Sequence, residues 1–280
     1  MPPRTALLRE DIDLLGRLES VDIVVNILEA LAQASSPMGV TELAKTLGET
    51  KSRIHRNLVS LKHHALIDQV EVTEKYRLGW KLFQLGQRAA LEFNIRSVAA
   101  PYLQYLSQHT GLSALLSVPF NGQALVIDAI NNEGNISISV KPGNRPIPHC
   151  SAQGRIALAY ASEVQRERLL NEPLIAPSPQ GMTQKKKILK RLELIKKNLF
   201  EDAPNETLMG INVVGAPIFR HPQELIGILS VVGSVQHLPA KPAKTLVATL
   251  QGCAAALSEY FQSHAYHHAG IKALNIFNSQ

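Results

Sequence analysis

Apolar residues recur along this chain at two periods, and the change of period divides it. From Val21 to Ala34 the set Val21, Val24, Val25, Leu28 and Leu31 follows helical spacing, and Ser35-Ser36-Pro37 ends the pattern. A second, short helix is predicted from near Val40. Thr41 sits at its N-cap or in its first turn, Leu43, Ala44 and Leu47 form its apolar side, and Gly48 closes it. Thr50 then caps a third helix over Lys51 to His63, where Ile54, Leu58 and Leu61 stand at i, i+4 and i+7 in one stripe. Leu66 to Val70 and Tyr76 to Leu78 flank the polar turn Thr73-Glu74-Lys75 as a hairpin. Helix, helix, turn, helix, hairpin is the order of a winged helix-turn-helix. Leu82, Leu85, Ala89 and Ala90 carry a further helical pattern from Gly79 to about Phe93, a linker helix and the domain boundary.

Beyond it, Val98 to Gln108 reads as a helix with Pro101 near its first turn and Gly111 just past its end. From Leu112 the period falls to two. LSALLSVPF and QALVIDAI flank Asn121-Gly122, a hairpin turn signal, and NISISV at 135 to 140 alternates as a third strand. After the loop KPGNRPIPHCSAQG, Gly154 to Ala161 is helical, and Ser162 with Gln165 makes a capping box for a helix to about Leu170. Thr183 to Phe200 is amphipathic through Ile188, Leu192, Ile195 and Leu199. INVVGAPIF and ELIGILSVV are long strands, and a last helix spans about Ala240 to Gln262. The tail ALNIFNSQ reads as disordered. The C-terminal half is therefore α+β, an antiparallel sheet with helices packed on it.

Composition narrows the class without choosing a function. The chain has 280 residues, 45% hydrophobic and 19% charged, which suits two soluble globular domains. No charged segment followed by an apolar run opens it, so no secretory signal is expected, and its most apolar stretch is too short to span a bilayer. Cys150 and Cys253 are too few and too far apart for a disulfide framework and read as free thiols of a reducing cytoplasm. The net charge of +6 permits a polyanionic partner, but where the charge lies matters more.

The location is informative. Between Lys51 and His64 there are four Lys or Arg residues and no Asp or Glu. Burying Ile54, Leu58 and Leu61 turns Lys51, Ser52, Arg53, His55 and Arg56 outward, at the end of a helix that would enter a major groove. Serine can bond phosphate or base there, and arginine can take guanine with two bonds. The alternative is a merely solvated helix face. Elsewhere the chemistry is thinner. The lysines 185 to 187 with Lys190, Arg191, Lys196 and Lys197 read as a solvated face. His264, His267 and His268 have loosely metal-like spacing but no further support, so no metal and no cofactor is expected. His149-Cys150 lacks an orienting acid, and no nucleophile elbow or phosphate loop occurs, so catalysis is not expected.

Glu42-Leu43-Ala44, Gly48, Lys51-Ser52, His55-Arg56, Leu58 and Leu61, then Tyr76, Leu78-Gly79, Leu82 and Leu85-Gly86, resemble the IclR family of bacterial transcription regulators. The resemblance runs from about residue 18 to 262 and includes RPIPHCSAQGRIALAY, GINVVGAPIF and LIGILSVVG. It implies a winged helix-turn-helix over 17–79, a linker helix over 80–95 and a GAF-like effector-binding domain over 96–264. The DNA-contacting set is then Thr41, Thr50, Lys51, Ser52, Arg53, His55, Arg56, Lys62 and Lys75. The effector pocket falls on Ser151, Ala152 and Gln153 of the loop, Val213 of one late strand, and Ser230 and Val232 of the other. Asp202 and Glu206 are the nearest candidates for an acidic residue preceding the first of those strands. Val213 and Val232 stand where relatives carry polar side chains. That argues against a very small polar acid, because an apolar wall penalises an unpaired polar group.

The expected protein is a homodimer or tetramer in the cytoplasm, without membrane contact. It would bind a pseudo-palindromic double-stranded operator and a small-molecule effector, a small organic acid with aromatic acids included, to repress or activate a neighbouring catabolic operon. The competing reading is a small-molecule sensor or enzyme with a vestigial helix-turn-helix.

Overall fold

The structure, a computed structural model, describes residues 18–92, 95–132, 138–220 and 223–276, and their side chains apart from those of 87–92. The chain divides into two compact units, Met1–Phe93 and Asn94–Gln280.

The first unit is built from α1 (Glu19–Gln33), α2 (Val40–Leu47), α3 (Lys51–His63), the hairpin β1 (Ile67–Gln69) and β2 (Tyr76–Leu78), and α4 (Trp80–Glu92). Its core gathers Ile27, Leu43, Ile54, Leu58, Leu61 and Ile67 with Tyr76. The α3 stripe is buried as its spacing predicts. The stripe expected on α1 is corrected: Ile23, Ile27 and Leu31 are buried, whereas Val21 and Val25 are exposed. Two apolar stripes lie side by side on α1, and the one at i, i+4, i+8 meets α3. Thr50 caps α3, its hydroxyl accepting from Arg53 N–H at 3.3 Å. Met38 exchanges two backbone bonds with Tyr76, so the segment before α2 extends the hairpin by one bridge.

The second unit is a five-stranded antiparallel sheet in the order β4-β3-β7-β6-β5, among the described residues. Its strands are β3 (Ser113–Phe120), β4 (Gln123–Ile130), β5 (Glu201–Asp202), β6 (Ile211–Arg220) and β7 (Glu224–Ser234). Asn121 and Gly122 both take positive φ, 50° and 79°, which the tight β3–β4 turn requires. The helices are α5 (Ile95–Thr110), α6 (Ala152–Tyr160), α7 (Glu163–Asn171), α8 (Lys185–Asn198) and α9 (Lys244–Tyr260). A side chain at Gly227 would meet Ile95 of α5, and one at Gly215 would meet Ile156 of α6. Alternation along the paired strands therefore puts α5 and α6 on opposite faces, α9 accompanying α5 and α8 accompanying α6.

Several expectations change. Residues 138–140 of the predicted NISISV strand carry no regular structure, and 135–137 lie outside the described residues. Ile138 is held beside β3 by the Ser113 hydroxyl instead, at 2.9 Å. Helix α5 begins at Ile95, so Pro101 sits inside it rather than in its first turn. Helix α9 begins only after Pro242-Ala243. The tail is not loose as far as Ile276: Leu274 N–H bonds Gly252 of α9 at 2.9 Å, and Ile271, Leu274 and Ile276 pack on the core.

Candidate functional sites

The first candidate is the outer side of α3. With Ile54, Leu58 and Leu61 inward, Ser52, His55 and Arg56 stand exposed, with Lys51 exposed at the helix start. Val59 joins them, 55% exposed and one turn beyond His55. Lys51 and Arg56 make no ion pair among the described residues, so both charges are available. Arg53 is different. Its guanidinium meets Glu19 of α1 at 2.7 Å and Glu49 at 3.3 Å, and it is turned to the flank rather than outward. Thr50 is engaged in capping, and Thr41 is exposed in the first turn of α2. Lys62 reaches Gln69 of the hairpin at 2.7 Å, and Lys75 lies 3.8 Å from Glu42. The hairpin tip carries Glu71, a fully projecting Val72 and Glu74, so the wing is less basic than the helix.

The second candidate is the sheet face that α6 covers. Ser230 lies opposite Gly215 on one side and Leu115 on the other, and Val232 lies opposite Val213 and Ser113. Ser151 caps α6, accepting from Gly154 N–H at 3.1 Å and donating to the Ile147 carbonyl at 2.7 Å. A Cβ at Gly154 would come within 2.6 Å of Pro148, so only glycine allows the loop to fold this closely onto the helix. Ala152 is buried beside Ser151, and Gln153 reaches across to Ser230, its amide nitrogen donating to the hydroxyl at 3.2 Å. Six of the eight predicted effector residues thus belong to one neighbourhood. Leu115, Val213 and Val232 are its apolar members, and the Gln153–Ser230 pair, Ser113 and Ser151 its buried polar ones. Ser117, further along β3, is buried with a hydroxyl that finds no partner among the described residues.

Asp202 and Glu206 fall elsewhere. Asp202 alternates with Glu201 and Ala203 along the edge strand β5, Arg191 of α8 holds it at 2.5 Å from beyond that edge, and the residue opposite Val213 is Ala203. Glu206 takes two bonds from Arg155, at 2.7 and 2.8 Å. Arg155 was not legible as a special residue from the sequence. It is fully buried, and its remaining donors reach Glu201 at 2.7 Å, the His149 carbonyl at 3.0 Å and the Asp202 carbonyl at 2.8 Å. All five guanidinium N–H groups are therefore satisfied. Burial opposes the charge, but Glu201 and Glu206 together hold the guanidinium protonated above its ordinary range. Burial pushes the Glu201 carboxyl up, and Arg155 and Arg191 pull it back. A helix buried on all sides that contains one arginine, with acids 46 and 51 residues on, is the signal that could have found this cluster. Arg191 corrects the reading of α8 as a plain solvated face, since it bonds both Glu201 and Asp202.

The weaker candidates acquire structural roles. His149 bonds the Ile175 carbonyl at 3.2 Å, and burial pushes its pKa down. Burial likewise raises the Cys150 thiol, and takes Cys253 up to about 12, so neither is a thiolate nucleophile near neutrality. His267 pairs with Glu259 at 2.5 Å, and no group of three His, Cys, Asp or Glu that could hold a metal occurs among the described residues. No described helix is long and apolar enough to cross a membrane.

Comparison with known proteins agrees with this geometry. Residues 87–259 match the family model described as bacterial transcriptional regulator IclR C-terminal, and residues 20–71 match the IclR helix-turn-helix domain. The HTH-type transcriptional regulator XynR of Escherichia coli K12 is 25% identical over 214 residues, covering 76% of this chain and 85% of that one. The HTH-type transcriptional regulator BhcR of Paracoccus denitrificans is 27% identical over 220 residues, 78% of each chain. Among solved structures, an IclR transcriptional regulator from Alicyclobacillus acidocaldarius superposes with a TM-score of 0.75 at 25% identity, covering 88% of this chain and 99% of that one. An IclR homologue from Microbacterium hydrocarbonoxydans, complexed with 4-hydroxybenzoate, does so with a TM-score of 0.73 at 21% identity, covering 87% and 99%.

Proposed function

This chain belongs to the IclR family of bacterial transcriptional regulators, and from that premise we propose how it reads DNA and what it senses. It is a regulator with a DNA-binding helix-turn-helix, not an enzyme. Residues 17–79 form the DNA-binding domain, 80–95 the linker and 96–264 the effector domain. The protein works in the cytoplasm as a homodimer or tetramer, because a two-fold assembly matches the half-sites of a pseudo-palindromic operator. Helix α3 enters the major groove. Ser52, His55 and Arg56 meet base edges, and the exposed Val59 is suited to a thymine methyl. Lys51, Arg53, Thr41, Thr50, Lys62 and Lys75 contact backbone phosphates. The unpaired outward charge of Arg56 beside Ser52 and His55 is the observation that carries this reading.

The effector is a small organic acid with an apolar body of aromatic size, binding between the α6 N-terminus and the sheet. The first N–H groups of α6, at Ala152 and Gln153, precede its first intrahelical bond and suit a carboxylate. Val213, Val232 and Leu115 suit the body, with Ser230 and Gln153 as its polar contact. Asp202 and Glu206 act through the Arg155 and Arg191 network rather than on the ligand. The effector must bind one arrangement of the protein better than another, since only that difference moves the equilibrium on DNA.

Two measurements test this. The full chain should retain duplex DNA from its own upstream region at low salt and lose it steeply as salt rises. Failure to bind at low salt sinks the DNA reading and leaves the sensor alternative. In a thermal-shift screen of organic acids, 4-hydroxybenzoate among them, an apolar acid should raise the melting temperature more than glyoxylate does. The reverse order rejects the apolar-wall argument.

A further inference from the structure

A cavity of about 850 Å³ lies beyond the β5 edge of the sheet, between α8 and the start of α9. Its volume is within the range of small-molecule sites, about 300–1,000 Å³. It is separate from the sheet-face neighbourhood: none of Ser151, Gln153, Val213, Ser230 or Val232 lines it. Leu194 of α8, Phe200, and Val247 and Ala248 of α9 form apolar walls. Leu194 is 41% exposed, so this apolar surface is wetted rather than packed away.

The polar groups around it divide by whether they already have partners. Glu206 is held by Arg155, Glu201 by Arg155 and Arg191, and Asp202 by Arg191. Those three carboxylates are all bonded within the protein, to two guanidiniums, and the one negative charge left over is outweighed by Lys241 and Lys244 on the same cavity. The cations are less fully used. Arg191 bonds through Nε and Nη2, and its Nη1 takes no part in those bonds. Lys241 and Lys244 line the cavity, are exposed, and make no ion pair among the described residues. Helix α9 opens at Lys244 with no side-chain cap, so its first N–H groups and its positive end add to the same side. The unsatisfied polarity is therefore donor and cationic, set against an apolar wall.

We infer that this cavity is a second ligand site, which takes an organic monoanion with an apolar body. The anion lies between Lys241, Lys244 and the free edge of Arg191, and the body lies along Leu194, Phe200 and Val247. The inference does not depend on which acid occupies the sheet face. Occupancy would also be felt there, because Arg191 and Arg155 share Glu201, and Arg155 holds the carbonyl of His149 two residues before Ser151.

Octanoate is the probe, titrated calorimetrically into the full chain beside acetate, which has the charge without the body. Saturable binding of octanoate and none of acetate is expected. Ala248→Trp, which fills the cavity from an exposed position, and Lys241→Glu with Lys244→Glu should each weaken octanoate by about tenfold or more. The lysine changes lie on exposed side chains, so unaltered melting of that variant keeps the result readable. In methyl spectra, octanoate should shift Leu194 and Val247. Octanoate affinity unaffected by both variants, shifts confined to Val213 and Val232, or no saturable binding by a normally melting protein would each overturn the assignment.

Discussion

Arg155 and Arg56 are the same side chain in opposite circumstances. Arg155 is wholly buried and every donor it has is met by a carboxylate or carbonyl of its own unit. Arg56 stands on the open side of α3 with no ion pair among the described residues. The comparison separates structural charge from charge available to a partner. A buried guanidinium is tolerated only when its desolvation is offset by complete pairing, and it then fixes the segments that supply the partners. A solvated one adds little to folding and keeps its donors for a ligand. Here the buried one ties α6, the 149 loop and β5 together behind the proposed effector contacts, and the open one faces the proposed DNA.

The sharpest way to break this contrast is to remove a partner of Arg155. Glu206→Ala leaves two guanidinium bonds unmade in a dry interior and should cost about 3–5 kcal/mol of stability. Trp80, the chain's single tryptophan, lies in the N-terminal unit, so its fluorescence should hold while far-ultraviolet dichroism loses its high-temperature signal. A loss below about 1 kcal/mol would show that water already reaches the cluster. Next in size is Arg56→Ala, expected to weaken operator binding by about 1–3 kcal/mol in a gel shift. Its melting should stay within about 0.5 kcal/mol of the parent, as for an exposed position. Normal DNA affinity would remove Arg56 from the reading face. Smaller again, Ser230→Ala should weaken the best acid of the screen by about 1 kcal/mol, the scale of one hydrogen bond, with DNA affinity in the absence of acid unchanged. An unaltered ligand titration would make Ser230 only structural.

The two units also differ in how far the sequence discloses them. In the N-terminal unit local rules agree with one another. The stripe Ile54, Leu58, Leu61, the Thr50 cap and the polar hairpin turn each specify their own geometry, so the fold and, apart from Arg53, the outward face were both readable. Even there α1 offered two stripes, and only its packing on α3 decides that Ile23 and Ile27, not Val21 and Val25, go inside. In the C-terminal unit the hairpin, the Ser162–Gln165 capping box and the two long strands were local too. What was not local was hidden. Strand β5 is two residues long and has no period to detect. Arg155 meets Glu201 and Glu206 across 46 and 51 residues of chain, and the inward side of β5 is set by its register on β6. The family resemblance could point to Asp202 and Glu206, but only pairing shows that Ala203 faces Val213.

Arg53 is the intermediate case, and it supports the smallest and most discriminating prediction. It sits on the same helix as Arg56, yet Glu19 and Glu49 hold it at 2.7 and 3.3 Å. Glu19 is largely solvent-exposed, so this pair contributes about 1 kcal/mol or less to folding. If Arg53 serves a phosphate, it must leave Glu19 to do so, and the pair lowers DNA affinity. Glu19→Gln should then raise affinity a few-fold at low salt, by freeing Arg53 and removing a negative charge near the DNA. It should also steepen the dependence of log affinity on log salt by up to about one phosphate's share, roughly 0.9. Charge removal alone would raise affinity in any background. The test is therefore the double change: with Arg53→Ala present, Glu19→Gln should recover much less than it does alone. Equal gains in both backgrounds would mean that Arg53 belongs with Arg155 as a structural cation, and that α3 reads DNA through Ser52, His55 and Arg56 without it.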